Sequence, residues 1–193
     1  TNHIKALVIT GFGLNCEVET SAAFAAAGAT PSQVHLNDIL AGDVSLMDYH
    51  ILAFIGGFSF GDHLGAATVF ANKLRCHLKD QLEEFIDRKR LIIGICNGFQ
   101  TITRLGIIPR LDTDTLTQQV ALAENKQGVF RDDWVQLRVN PNCPCVFTRG
   151  LGEIELPIRH GEGRFMCESE DVLKKLFDND QVALQYIDPT TGE

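Results

Sequence analysis

The sequence predicts an α/β fold: a doubly wound, mostly parallel sheet with helices on both faces and antiparallel edge strands. Three observations predict it. Residues 6–9, 51–55 and 91–95 are apolar throughout rather than alternating, as strands are when both faces of a parallel sheet are covered. Helical patterns separate these runs, so strand and helix alternate. Past Gly106 and Pro109 the pattern changes to apolar/polar alternation, the mark of half-buried antiparallel strands.

The elements follow in chain order. The first run is Ala6-Leu7-Val8-Ile9, followed by Gly11-Phe12-Gly13. These glycines invite a dinucleotide-binding reading, but the third glycine position holds Cys16 and no acidic residue clearly ends the second strand. Residues 19–27 are alanine-rich and stop at Gly28, a helix with a glycine C-cap. After the run at 51–55, Phe70, Leu74, Leu78, Leu82 and Ile86 recur every four residues. Lys73, Lys79, Glu83, Glu84 and Asp87 fill the opposite side, so a long amphipathic helix precedes the third run. Residues 134–139 place Val135, Leu137 and Val139 on one face of a strand. Residues 171–177 read as a short helix and 182–187 as a further strand. The final Asp188-Pro189-Thr190-Thr191-Gly192-Glu193 has the chemistry of a turn between two strands. A single domain over residues 1–193 is expected.

Composition narrows the function. The net charge of −8 argues against general binding to nucleic acid or anionic membrane. No apolar run approaches a membrane span and no signal peptide is recognisable. The six cysteines form no compact secreted framework and read as cytosolic thiols, so a cytoplasmic location is expected. Cys143-Pro144-Cys145 has no second Cys or His pair at metal-binding spacing. It reads as a surface loop, and no metal site is expected.

The chemistry centres on Gly94-Ile95-Cys96-Asn97-Gly98. Between a buried strand and a helix, this pattern is a nucleophile elbow with sulfur in place of oxygen. A cysteine after a core strand is often buried and inert. Here the glycines two residues to either side relieve crowding at a tight turn, which favours a nucleophile. A helix N-terminus at the thiol supports the thiolate, and its unpaired N–H groups can receive an oxyanion.

A second feature is Gly56-Gly57-Phe58-Ser59-Phe60-Gly61-Asp62, directly after the run at 51–55. Paired glycines at a strand's carboxyl end let backbone approach a ligand. Their N–H groups can complete an oxyanion hole with that of Asn97. A thiol nucleophile usually works with a base. His50 enters a strand and His77 lies in the long helix, where structural roles suit them. His160 and Glu162 can be read as base and orienter, or as part of a glycine-rich loop, and spacing leaves both open.

Together these motifs resemble the class I, triad-type glutamine amidotransferases, which implies a flavodoxin-like sheet. More narrowly, they resemble the glutaminase subunits of phosphoribosylformylglycinamidine synthase, from purine biosynthesis. The likeness spans nearly the whole chain. It includes Asn15-Cys16-Glu17, Trp134-Val135-Gln136-Leu137-Arg138-Val139, Phe147-Thr148-Arg149-Gly150-Leu151 and His160-Gly161-Glu162-Gly163-Arg164-Phe165. The resemblance implies that Cys96 attacks the glutamine side-chain amide. Backbone N–H groups of Gly57 and Asn97 hold the oxyanion, and Phe58 and Gln100 line the glutamine pocket. Ammonia then passes to a synthetase subunit, the expected partner, which carries the ATP and magnesium. No cofactor is expected in this chain.

Two departures stand out. His63 follows Gly61-Asp62 where the family commonly has an aromatic residue. The family's triad histidine and glutamate sit in a C-terminal His-Pro-Glu segment, which residues 1–193 do not contain. The family's His-Gly-Glu-Gly is a separate motif, so the resemblance does not make His160 and Glu162 the triad partners. The expectation is a longer protein that carries this segment after Glu193, or else a short form with impaired activity. Two rival readings are a cysteine hydrolase of the same fold and a regulatory subunit that binds glutamine without hydrolysing it. Residues 1–193 alone are expected to release little glutamate from glutamine at steady state, while Cys96 remains open to alkylation. Robust turnover in a glutamate-release assay would overturn that and return His160 as the base.

Overall fold

The computed structural model describes residues 3–111, 116–188, 190 and 191. The chain divides into two compact units, Thr1–Gln118 and Gln119–Glu193.

The first unit is built on four parallel strands: β1 (Lys5–Thr10), β2 (Thr30–His35), β3 (Ile51–Phe54) and β4 (Leu91–Gly94). Their order is β2-β1-β3-β4, a doubly wound arrangement in which ligands bind beyond the carboxyl ends of the strands. Ile9 lies opposite Phe54, and Phe54 opposite Gly94. The strands therefore end level, and the segments after β1, β3 and β4 leave the sheet side by side.

Helices cover both faces, as the apolar runs predict. Leu7, Ile9, Leu52 and Phe54 pack with residues of α2 (Leu36–Ala41), α3 (Thr68–Asp87) and α4 (Asn97–Leu105). Val8, Ala53 and Ile55 face the other way and meet Phe24 of α1 (Glu17–Ala26). In α3 the stripe of Phe70, Leu74, Leu78 and Leu82 is buried as expected, and Phe85 rather than Ile86 completes it. Its wet side carries the ion pairs Lys79–Glu83 and Glu84–Arg88, each worth about 0.3–0.5 kcal/mol at an exposed i,i+4 site.

In this unit one strand and one α-helix give no clear signal in the sequence. β2 is an edge strand, Thr-Pro-Ser-Gln-Val-His, with neither an apolar run nor clean alternation. Its Pro31 lacks an N–H group and is tolerated because only one side of the strand is paired. The short α2 follows at once, with the His35 side chain accepting the Asn37 N–H at its start.

The second unit holds the antiparallel strands, which pair with one another in two small sheets. β5 (Val120–Ala123) pairs with β8 (Arg164–Cys167). β6 (Arg131–Val139) lies between β7 (Glu153–His160) and β9 (Leu184–Ile187). The alternation read at 134–139 holds at the end of the strand, where Leu137 and Val139 are buried and Arg138 is exposed, while Val135 and Gln136 are both partly buried. The helix expected at 171–177 is α5 (Glu170–Asp178), capped by Ser169 Oγ accepting the Val172 N–H. Of the turn expected at 188–193, Asp188 Oδ1 accepts the Thr190 N–H at 2.8 Å. Pro189, Gly192 and Glu193 lie outside the described residues. Among the described residues no helix is long and apolar enough to cross a membrane.

Leu82 is fully enclosed in the α3 stripe. Leu82→Ala is expected to cost about 2–5 kcal/mol of stability through lost burial and a residual cavity. Leu64→Ala, at a site 73% exposed, should stay within about 0.5 kcal/mol. Urea denaturation of both variants measures the contrast.

Candidate active site around Cys96

The elbow is built on the Phe54 carbonyl. That oxygen accepts the Ile95 N–H at 3.0 Å, and α4 then starts so close to β3 that no side chain fits between them. A Cβ on Gly98 would stand 1.8 Å from the same oxygen, and one on Gly94 would stand 2.7 Å from the Gly98 carbonyl oxygen. Between them Cys96 is forced to φ 55° and ψ −117°. A non-glycine residue in such a region costs about 1–3 kcal/mol and persists only where its surroundings impose it. The thiol is exposed. Cys96 occupies the N-cap position of α4 without a side-chain capping bond, and Asn97 opens the helix with an N–H that has no intrahelical acceptor.

The glycine loop lies directly against this thiol. A Cβ on Gly56 would come within 3.4 Å of Cys96 Cβ and 3.9 Å of Sγ. The loop is held by the segment after β1. Asn15 N–H donates to the Gly56 carbonyl, and Phe58 N–H donates to the Gly13 carbonyl, each at 2.9 Å. This bridge pairs Leu14 with Gly57 and leaves the Gly57 N–H outside its own bonds. Gly57 is at φ 131°, and a Cβ there would meet the Gly13 carbonyl oxygen at 2.5 Å. The Phe58 ring is 61% exposed, so it stands at the surface of the loop. Phe60 instead stacks on Phe12, with ring centroids 4.5 Å apart. Phe60, Gly61 and Asp62 are all left-handed, at φ 54°, 69° and 51°.

The Asn97 side chain reaches into that loop and is buried. Its Oδ1 accepts the Ser59 N–H at 3.3 Å. Its Nδ2 donates to both Asp62 carboxylate oxygens at 3.2 Å and to Gln100 Oε1 at 3.1 Å. Asp62 Oδ1 also accepts the Ala67 N–H, just ahead of α3. The structure thus gathers Cys96, Asn97, Gly57 and Gln100 around the ends of β3 and β4. The participation of the Asn97 side chain and Asp62 is not readable from spacing, because the two stand 35 residues apart. Cys16 also lies in this neighbourhood, at φ 72° at the start of α1. Burial raises its thiol above the ordinary value, and the charges of Glu19, Cys96 and Glu17 add to the rise.

His160 has a different setting, at the end of β7 in the second unit. Its Nδ1 is 2.9 Å from Asn125 Oδ1. Asn125 Nδ2 donates to the carbonyls of Val129 and His160, so Oδ1 is an acceptor and His160 Nδ1 carries the proton. Gly163 N–H donates to the same Oδ1, and a Cβ on Gly163 would collide with the imidazole. The His-Gly-Glu-Gly motif is thus wrapped around Asn125, and Nδ1 is oriented by that amide rather than by Glu162. Burial lowers the His160 pKa, and the nearby Arg131 charge lowers it further. Among the described residues no three His, Cys, Asp or Glu side chains cluster as metal ligands would.

The sequence and the fold have relatives among known proteins. A family model for the CobB/CobQ-like glutamine amidotransferase domain matches residues 3–193. The chain belongs to this family. Within the family it is PurQ-like. The phosphoribosylformylglycinamidine synthase subunit PurQ of Methanococcus maripaludis is 44% identical over 98% of this chain and 70% of that protein. The subunit of the same name from Dehalococcoides mccartyi is 43% identical over 90% of this chain and 67% of that protein. Among solved structures, a chain of PurLQS from Thermotoga maritima matches with a TM-score of 0.73 at 29% identity. The match covers 96% of this amidotransferase chain and 76% of that one.

Two outcomes follow from the geometry. Gly98→Ala should displace the elbow, because the new methyl meets backbone rather than a movable side chain. A fall in thermal stability together with slower alkylation of Cys96 measures that. The second concerns pH. With its folded-state pKa lowered, His160 is protonated more readily in the unfolded chain. Its stabilising contribution is complete above about pH 6.5 and is lost as pH falls through the folded-state value. Melting curves at pH 7.5 and 5.5 should show a larger loss for the wild type than for His160→Gln.

Proposed function

We propose that this chain is the glutaminase subunit of a phosphoribosylformylglycinamidine synthase. One observation carries the reading: a strained, exposed Cys96 occupies the N-cap position of a helix, with a glycine loop packed against its sulfur. The 44% identity to a PurQ subunit supports the substrate and the partner. The single family model over residues 3–193 supports one amidotransferase domain made of both units.

Cys96 Sγ attacks the side-chain amide carbon of glutamine. The carbonyl oxygen becomes an oxyanion, held by the Gly57 and Asn97 N–H groups, which act only once that charge develops. Collapse breaks the C–N bond. The amide nitrogen leaves as ammonia with the proton that the thiol gave up, and a thioester remains. Water adds to the thioester, glutamate departs, and the thiol is restored. The exposed Phe58 ring can close over the substrate, and Gln100 lines the pocket through the carboxamide that meets Asn97. Ammonia passes to a cytoplasmic synthetase subunit, where ATP and magnesium belong.

A chloroketone analogue of glutamine tests this reading. The thiolate adds to the ketone to give an oxyanion. Sulfur then shifts to the adjacent carbon, displacing chloride while its bond to the carbonyl carbon breaks and the C=O re-forms, to leave a stable thioether. Mass spectrometry should find one label, on Cys96, slowed by added glutamine and absent from Cys96→Ser. Labelling indifferent to glutamine would favour a cysteine hydrolase, and no labelling would favour a binding module. Either result overturns the proposal.

A further inference from the structure

We infer that Asp62 is a positioning residue that acts through the Asn97 side chain to fix the two oxyanion donors relative to each other. The inference deepens the reading above and rests on it. One donor, the Asn97 N–H, belongs to the elbow. The other, the Gly57 N–H, belongs to the glycine loop two residues before Ser59. Within this unit the Asn97 carboxamide joins the two segments directly, since its Oδ1 accepts the Ser59 N–H at 3.3 Å.

That bond depends on which way the carboxamide points. Asn97 is 1% exposed, so water does not satisfy it. Its Nδ2 faces the Asp62 carboxylate, with both oxygens at 3.2 Å. Turned over, the amide would set its oxygen against that carboxylate and its NH2 group against the Ser59 N–H. Gln100 Oε1 meets the same Nδ2 at 3.1 Å, but a carboxamide can turn to offer oxygen or NH2 while a carboxylate only accepts, so Asp62 selects the orientation in which Asn97 holds the loop. Asp62 is anchored in turn, because its Oδ1 accepts the Ala67 N–H at 3.0 Å. The left-handed run Phe60-Gly61-Asp62 folds the carboxylate back to this point. The chain of contacts runs from the start of α3 through Asp62 and Asn97 to Ser59, and so to Gly57.

The arrangement permits an exchange test. In Asn97→Asp a second carboxylate faces Asp62 and the two repel. Asp62→Asn keeps the oxygen that serves Ala67 and Asn97 Nδ2 but replaces Oδ2 with an NH2 group set against the Asn97 NH2. Combined, the exchanged pair is complementary again: one carboxylate oxygen accepts the Ser59 N–H and the other accepts the new amide at position 62, with the Gln100 carboxamide turned to present its NH2 to the same carboxylate. Two probes of Cys96 separate positioning from folding. The chloroketone reacts through an oxyanion and needs both donors. Iodoacetamide reacts by direct displacement of iodide and needs neither.

Each single variant should lower the chloroketone labelling rate at saturation about 10- to 100-fold, below the roughly 100- to 1000-fold that outright loss of an oxyanion donor produces, because the donor is displaced rather than removed. The concentration giving half-maximal rate should change little, because ground-state binding is untouched. Iodoacetamide alkylation should stay near the wild-type rate in every variant. The double variant should recover most of the chloroketone rate, since the two sites are directly coupled. Three results would overturn the inference: single variants that label at the wild-type rate, singles that lose both probes in parallel, or a double variant no better than the singles. Wild-type labelling unprotected by glutamine would instead sink the glutaminase reading itself. The two failures are thus distinguishable.

Discussion

The carbonyl oxygen of Phe54 is the point on which the site depends. It ends β3, takes the Ile95 N–H, and lies against the bare Cα of Gly98. Helix α4 can start this close to the sheet only because position 98 carries no side chain. Parallel registry puts Phe54 level with Gly94, so the turn between strand and helix has two residues, Ile95 and Cys96, in which to reverse. The strained backbone of Cys96 is the geometric result of that closeness, and the exposure of its sulfur follows from the strain.

The same edge concentrates other unfavourable backbone. Phe12, Cys16, Phe60, Asp62 and Ala67 all adopt left-handed conformations in segments that follow β1 and β3. Such strain persists where better-packed structure imposes it. Here the support lies beneath, in strands whose Leu7, Val8, Leu52 and Phe54 side chains are almost wholly enclosed. The loops also hold one another through the Leu14–Gly57 bridge, the Phe12–Phe60 stack and the Asn97 carboxamide. A rigid core thus carries a layer of interlocked loops, and the sulfur sits within that layer.

His160 illustrates the limits of a motif read alone. Spacing puts a histidine two residues from a glutamate, which resembles a base with its orienter. In the folded unit the imidazole is oriented by Asn125, which arrives from 35 residues earlier in the chain and also gathers Val129 and Gly163. Orientation by a carboxamide, with burial opposing protonation, describes a group that organises a loop.

The sequence by itself determined the sheet-forming runs, the long amphipathic helix, the elbow and the glycine loop. Each of these is a local consequence of residue type: continuous apolar runs, a fourfold period, or glycines where backbone must approach backbone. It did not reveal β2, whose edge position removes the demand for apolar residues on both faces. Nor did it reveal the division at Gln118, or the pairing of the antiparallel strands into sheets of their own. Tertiary structure alone decided that Gly56 rests on Cys96, that Leu14 holds Gly57, and that Asn97 finds Asp62. Those contacts join segments tens of residues apart, and their geometry is set by how level the parallel strands end. No local pattern of residues encodes that alignment.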